Sequence, residues 1–164
     1  TIMLEQMSGQ QPIATIVSCS DSRVPVELVF DRGIGDLFVI RTAGNSLEDD
    51  MTMGSLEYAV EHLHTKLIVV VGHEKCGGIT AAISTKNEET SPKEISSLIE
   101  TLRNGVEPCV GKTENLDDAI HYNVNNQIQK ILQNPELKEL IEKGELKVVG
   151  GYYHLNNGKV DILN

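Results

Sequence analysis

Three short apolar runs rich in β-branched residues punctuate the first half of the chain: Ile13-Ala14-Thr15-Ile16-Val17-Ser18, Leu37-Phe38-Val39-Ile40 and Leu67-Ile68-Val69-Val70-Val71. Each is too short for a buried helix, so each reads as a strand covered on both faces. Between the second and third, Leu56, Ala59, Val60 and Leu63 recur at i, i+3, i+4 and i+7, the stripe of an amphipathic helix. A short helix is expected from Ile79 to Ile83, then a polar loop from Ser84 to Thr90. Ser91-Pro92-Lys93-Glu94 reads as the next helix start, with Ser91 as N-cap, Pro92 at the first position and Glu94 as the capping-box acid. Ile95, Leu98, Ile99 and Leu102 form its inward stripe. A longer helix is predicted over Leu116 to Gln133, with Ile120, Val124, Ile128 and Ile131 inward, stopping before Pro135. Leu137, Leu140 and Ile141 suggest one more short helix. Leu146 to Val149 reads as a strand, and Asn156-Asn157-Gly158 as a turn before a terminal strand, Lys159 to Leu163.

Strands separated by helices predict an α/β fold of three layers: a mostly parallel central sheet, helices on both faces and a C-terminal edge strand. The 164 residues and 18.0 kDa suit one domain, 1–164, around one core, and the sequence shows no repeat or linker. In such folds ligands collect at the carboxyl ends of the parallel strands, so the chemistry is sought there.

Composition narrows the choice further. Lys and Arg number 14 against 24 Asp and Glu, a net charge of −10 with no basic patch, which argues against nucleic acid and anionic membranes as partners. An anion site would have to be built locally. The longest apolar run, Leu67 to Val71, is too short to span a bilayer. No charged, apolar, then small-residue leader opens the chain, which argues against a retained secretory signal; a chain starting at Thr1 leaves an earlier cleavage open. Three cysteines, an odd number, speak against a disulfide framework and for a reducing, cytoplasmic compartment.

The first strand runs into Cys19-Ser20-Asp21-Ser22-Arg23, and the third into Gly72-His73-Glu74-Lys75-Cys76-Gly77-Gly78. If the chain stays extended after Cys19, alternation puts residues 19, 21 and 23 on one side. A helical turn after the third strand would align His73 with Cys76. Neighbouring strands would then bring the two pairs together. Two thiolates and an imidazole suit tetrahedral zinc. Asp21 could fill the fourth position and close the site, or turn away to pair with Arg23 and leave room for water. An open position on zinc generates hydroxide near neutral pH, and Asp21 is placed to accept its proton.

These two motifs, with Val24-Pro25 after the first, resemble the β-class carbonic anhydrases. The resemblance continues through Gly35-Asp36-Leu37-Phe38-Val39-Ile40-Arg41-Thr42-Ala43-Gly44-Asn45, Gly54-Ser55-Leu56-Glu57-Tyr58-Ala59-Val60 and the segment from Gly144 to Tyr153. It implies an α/β sheet, a homodimer or dimer of dimers (a homotetramer), and zinc-dependent reversible hydration of CO2 to bicarbonate and a proton by zinc-bound hydroxide. It implies Cys19, His73 and Cys76 as zinc ligands, Asp21 and Arg23 as the catalytic dyad, and Asp21 as fourth ligand in a closed state. Tyr58 matches an aromatic of the CO2 pocket. Two departures stand out. Only about a dozen residues precede the first strand, so the family's N-terminal helical arm is short or missing. Asp31-Arg32-Gly33-Ile34-Gly35 lacks the glutamine that plant-type members use as an anion donor, which leaves backbone N–H groups near Gly77 and Gly78 as candidates. The same motif also suits a hydrolase of carbonyl sulfide or carbon disulfide on this scaffold, or a non-catalytic zinc-stabilised module.

Other candidates carry less. Gly33-x-Gly35 lacks the third glycine of a dinucleotide loop and precedes a strand. Cys109 reads as a spectator thiol, His62 and His64 as solvated or capping residues, Glu88-Glu89 as a solvated loop, and Tyr152-Tyr153 as packing. His121 and His154 are open as proton shuttles.

Overall fold

The computed structural model describes Leu4, residues 6–85 and residues 91–163. Its five strands are β1 (Ala14–Cys19), β2 (Leu37–Thr42), β3 (Leu67–His73), β4 (Lys147–Tyr153) and β5 (Val160–Leu163), in the order β2-β1-β3-β4-β5. The first four are parallel, and β5 closes one edge antiparallel to β4 after the turn at Gly158. The strands run further at their carboxyl ends than their apolar runs suggest: Gly72 and His73 still pair with Tyr152 and Tyr153. Backbone pairing continues there although the side chains turn polar, because polar groups are wanted at that end.

Six α-helices lie among the described residues: α1 (Val26–Val29), α2 (Asp50–Glu61), α3 (Gly77–Ile83), α4 (Lys93–Gly105), α5 (Leu116–Gln133) and α6 (Pro135–Glu142). The Asp49 carboxylate accepts the Thr52 N–H at the start of α2, and the Asn134 side chain accepts the N–H groups of Glu136 and Leu137 at the start of α6. The α5 boundaries coincide with those read from the sequence. Two expectations about α4 are corrected. Its cap position is Pro92, extended at ψ 146° with no side-chain cap, so the helix starts two residues after Ser91. Ile95 is 47% exposed, because only the later turns, at Ile99 and Leu102, reach the core. The four-residue α1 is too short to leave a periodic signal. The expected loop at Glu88-Glu89 lies outside the described residues.

Alternation along the strands sends Val17 and Val70 to one face of the sheet and Ile16, Val69 and Val71 to the other. The first face is packed by Leu56 and Val60 of α2, Val124 and Ile131 of α5, and Leu137 of α6. The second carries Val26 of α1 and leaves Val39, Val149 and Tyr153 only partly buried. Among the described residues, helical cover on this face is thin. A third cluster, with Ile79, Ile83, Leu102, Ala119 and Tyr152, lies at the carboxyl ends under α3 and α4 and contains Cys19 and Cys76. Here α5 approaches closely: a Cβ at Gly72 would lie 2.7 Å from the Ile120 Cγ2 and 2.8 Å from the Val124 Cγ2. The chain leaves β1 for β2 on one side and returns to β3 on the other, so the topological switch point falls between β1 and β3.

Candidate metal centre

Both switch-point strands end in a side chain able to ligate a metal. Ser18 pairs with Val71, which brings Cys19 and His73 to one edge of the sheet as the last residues of β1 and β3. The chain then makes a tight turn, with Lys75 at φ +55°, and Cys76 becomes the N-cap of α3. This turn, rather than the expected helical one, brings the second sulfur back. Ligand atoms of Cys19, His73 and Cys76 all lie within 4.8 Å of one another, and all three residues are buried.

The donor set fits a metal cation. The Nδ1 of His73 donates to the Glu74 carbonyl at 2.9 Å, which leaves Nε2 unprotonated and facing the sulfurs. That Nε2 is buried and has no hydrogen-bond partner in the described structure. A buried acceptor without a donor is costly unless a cation meets it. The thiols give the same indication. A hydrogen bond from the Cys76 thiol, helped by the Gly44 and Asp21 backbones, draws the Cys19 pKa down against the effect of burial. The same hydrogen bond, together with burial, pushes Cys76 up. Both sulfurs would be stabilised as thiolates by a cation bound between them.

Asp21 and Arg23 do not extend the strand. Val24 N–H donates to the Asp21 carbonyl at 3.0 Å and Arg23 N–H to Asp21 Oδ1 at 2.9 Å, a turn closed by the aspartate itself. The Arg23 guanidinium grips both carboxylate oxygens, Nε to Oδ1 at 2.9 Å and Nη2 to Oδ2 at 2.7 Å, and Nη2 also donates to the Lys75 carbonyl at 3.2 Å. These bonds hold the Asp21 carboxyl well below the usual carboxylate range. Its Oδ2 lies 3.8 Å from His73 Nε2, so the carboxylate faces the ligand cluster while paired elsewhere. Arg41, not singled out from the sequence, donates to the carbonyls of Cys19 at 2.9 Å and Asp21 at 2.7 Å and holds the loop between them.

Residues 14–160 match the carbonic anhydrase family model. The chain belongs to the β-carbonic anhydrase family. It is 37% identical over 158 residues to carbonic anhydrase 2 of Mycobacterium tuberculosis, covering 93% of this chain and 74% of that protein. Against the carbonic anhydrase of Pseudomonas aeruginosa the identity is 34% over 164 residues, covering 94% and 74%. A tetrameric β-carbonic anhydrase of Sordaria macrospora superposes with a TM-score of 0.86 at 28% identity, over 99% of this chain and 85% of that one. The Coccomyxa β-carbonic anhydrase in complex with acetazolamide gives 0.86 at 27% identity, over 98% and 75%.

In this β-carbonic anhydrase the remaining candidates are dispersed. Gly77 and Gly78 open α3 beside Cys76, and the N–H groups of Gly78 and Ile79 favour its thiolate. Tyr58, 46% exposed on α2, packs on Phe38 and His62 along a groove that includes none of the three ligands. Cys109 is buried in the core. His121 stacks edge-on to Tyr152, and His154 pairs with Asp161 at 2.8 Å.

Proposed function

We propose that the protein catalyses the reversible hydration of carbon dioxide to bicarbonate and a proton, with zinc held by Cys19, His73 and Cys76. The observation that carries this reading is the unpartnered, buried Nε2 of His73 facing two buried sulfurs, next to a carboxylate turned toward Arg23. Zinc in such a site supplies an acidified water as the nucleophile near neutral pH. With zinc bound, the Asp21 carboxylate, which faces the ligand cluster, would accept a hydrogen bond from that water and orient it toward CO2. Arg23 keeps Asp21 ionised and drawn aside, which favours an open fourth position over a site closed by aspartate. Gly77 and Gly78 line the substrate pocket, and Tyr58 reaches it across an interface with a second copy of the chain. A homodimer or dimer of dimers is supported by the thin cover over the second sheet face and by the tetrameric Sordaria relatives. One domain spanning 1–164 carries the site, and its three unpaired thiols favour a reducing cytoplasm.

Metal analysis and stopped-flow hydration of the purified protein test this reading. One zinc per chain and rapid CO2 hydration, lost together in Cys76→Ala, are expected. A faster turnover of carbonyl sulfide than of CO2 would transfer the assignment to the hydrolase. An anion-insensitive spectrum of the cobalt-substituted protein at every pH would favour the closed, non-catalytic site.

A further inference from the structure

Two side-chain amides lie buried in the face of α5 that meets the 44–47 loop. Asn123 is 0% and Gln127 1% exposed, and they stand one helical turn apart. The Leu47 N–H donates to Gln127 Oε1 at 2.9 Å, Gln127 Nε2 donates to Asn123 Oδ1 at 3.2 Å, and Asn123 Nδ2 donates to the Gly44 carbonyl at 2.8 Å. A backbone donor at one end and a backbone acceptor at the other set the direction of both amides. The chain of bonds therefore pins both ends of the 44–47 loop to α5.

The pinned loop reaches the ligands. The Gly44 N–H donates to Cys19 Sγ at 3.3 Å. Gly44 has φ +75°, and a Cβ there would lie 2.8 Å from two carbons of Leu102. A Cβ at Gly78 would lie 3.3 Å from the Gly44 N, so this backbone is wedged between the two sulfur-bearing turns. An N–H aimed at a thiolate withdraws charge from it, and its alignment depends on how the following peptide is held.

We propose that Asn123 and Gln127 are positioning residues for the metal centre, holding the Gly44 peptide so that its N–H meets the Cys19 sulfur. The assignment rests on reading Cys19, His73 and Cys76 as the zinc ligands. Asn123 touches no ligand itself; it acts by orienting Gly44, and Gln127 acts by orienting Asn123.

The test compares Asn123→Leu, Gln127→Met and Thr15→Val with the parent protein. Thr15 is the control, since its buried hydroxyl bonds Thr65 at 2.8 Å near the start of β1, at the opposite end of that strand from Cys19. Zinc affinity is read by competition with a chromogenic chelator, and the cobalt form by its sulfur-to-metal absorption band. Asn123→Leu is expected to weaken zinc by roughly tenfold or more, as for other groups that orient a ligand, and to shift the band. Gln127→Met should act in the same direction with a smaller change, and it decides the question alone if Asn123→Leu does not fold. Thr15→Val should lower the melting temperature yet leave affinity and band unchanged. Parent-like affinity and band in the folded amide variants, or equal losses in Thr15→Val, would overturn the proposal. Absence of stoichiometric zinc in the parent would instead overturn the assignment of the ligands.

Discussion

The Asp21 carboxylate has both oxygens committed to Arg23, in the two-point geometry that makes charge-assisted hydrogen bonds strong and directional. Arg23 is 50% exposed, so solvent weakens the pair as a source of stability; its value lies in aiming the carboxylate. Asp21→Asn keeps the shape and removes the charge. Hydration should fall by about a hundredfold or more while zinc stays bound, read by stopped-flow and metal analysis. Undiminished turnover would remove the role given to Asp21. The three ligand candidates were legible because thiols and imidazoles at strand ends have few other uses. Arg41 was not: its value comes from reaching the last carbonyl of a neighbouring strand and another in the turn after it, and no spacing along the chain encodes that reach.

Among the elements, α5 and β3 show what periodicity captures. The inward stripe of Ile120, Val124, Ile128 and Ile131 marks α5 from end to end; Ile128 is partly buried and the other three are buried. The same stripe hides Asn123 and Gln127, because an amide at an inward position resembles any polar residue until its partners are known. Gly72 is the complementary case, where the missing side chain lets α5 settle on β3 one residue before His73. Gly72→Val should destabilise the fold by about 1–3 kcal/mol or more through overpacking against Ile120 and Val124. Denaturant unfolding of the metal-free protein measures this. An unchanged midpoint would mean that the helix has room to move, contrary to the contacts seen. The start of α4 differs from the sequence expectation because Pro92 fits both a first helical turn and the extended residue before one, and here it is extended.

On the scale of the whole molecule, the Tyr152 hydroxyl ties β4 to α5 by donating to Asp117 Oδ1 at 2.6 Å. Burial, then the Asp117 hydrogen bond and charge, raise the Tyr152 pKa. A raised phenol pKa favours the protonated side chain in the fold, so its stabilisation is complete below a free tyrosine's pKa of about 10. It is lost as the pH rises from there through the folded value. Tyr152→Phe should therefore be less stable than the parent at pH 7, by about 1 kcal/mol, and the gap should narrow in alkali. Unfolding free energies at pH 7 and in alkali check this; a gap that widens would contradict the sign. Read alone, the sequence determined the alternation of strands and helices and pointed to the side chains proposed to hold zinc, because periodicity and side-chain chemistry are local properties. Only the tertiary structure decided that β1 lies beside β3, that a left-handed Lys75 returns Cys76 to His73, and that Arg41 and Asn123 bear on the ligand loops. Those outcomes depend on contacts between segments far apart in the chain, which form only when the sheet order is settled and the helices close over it.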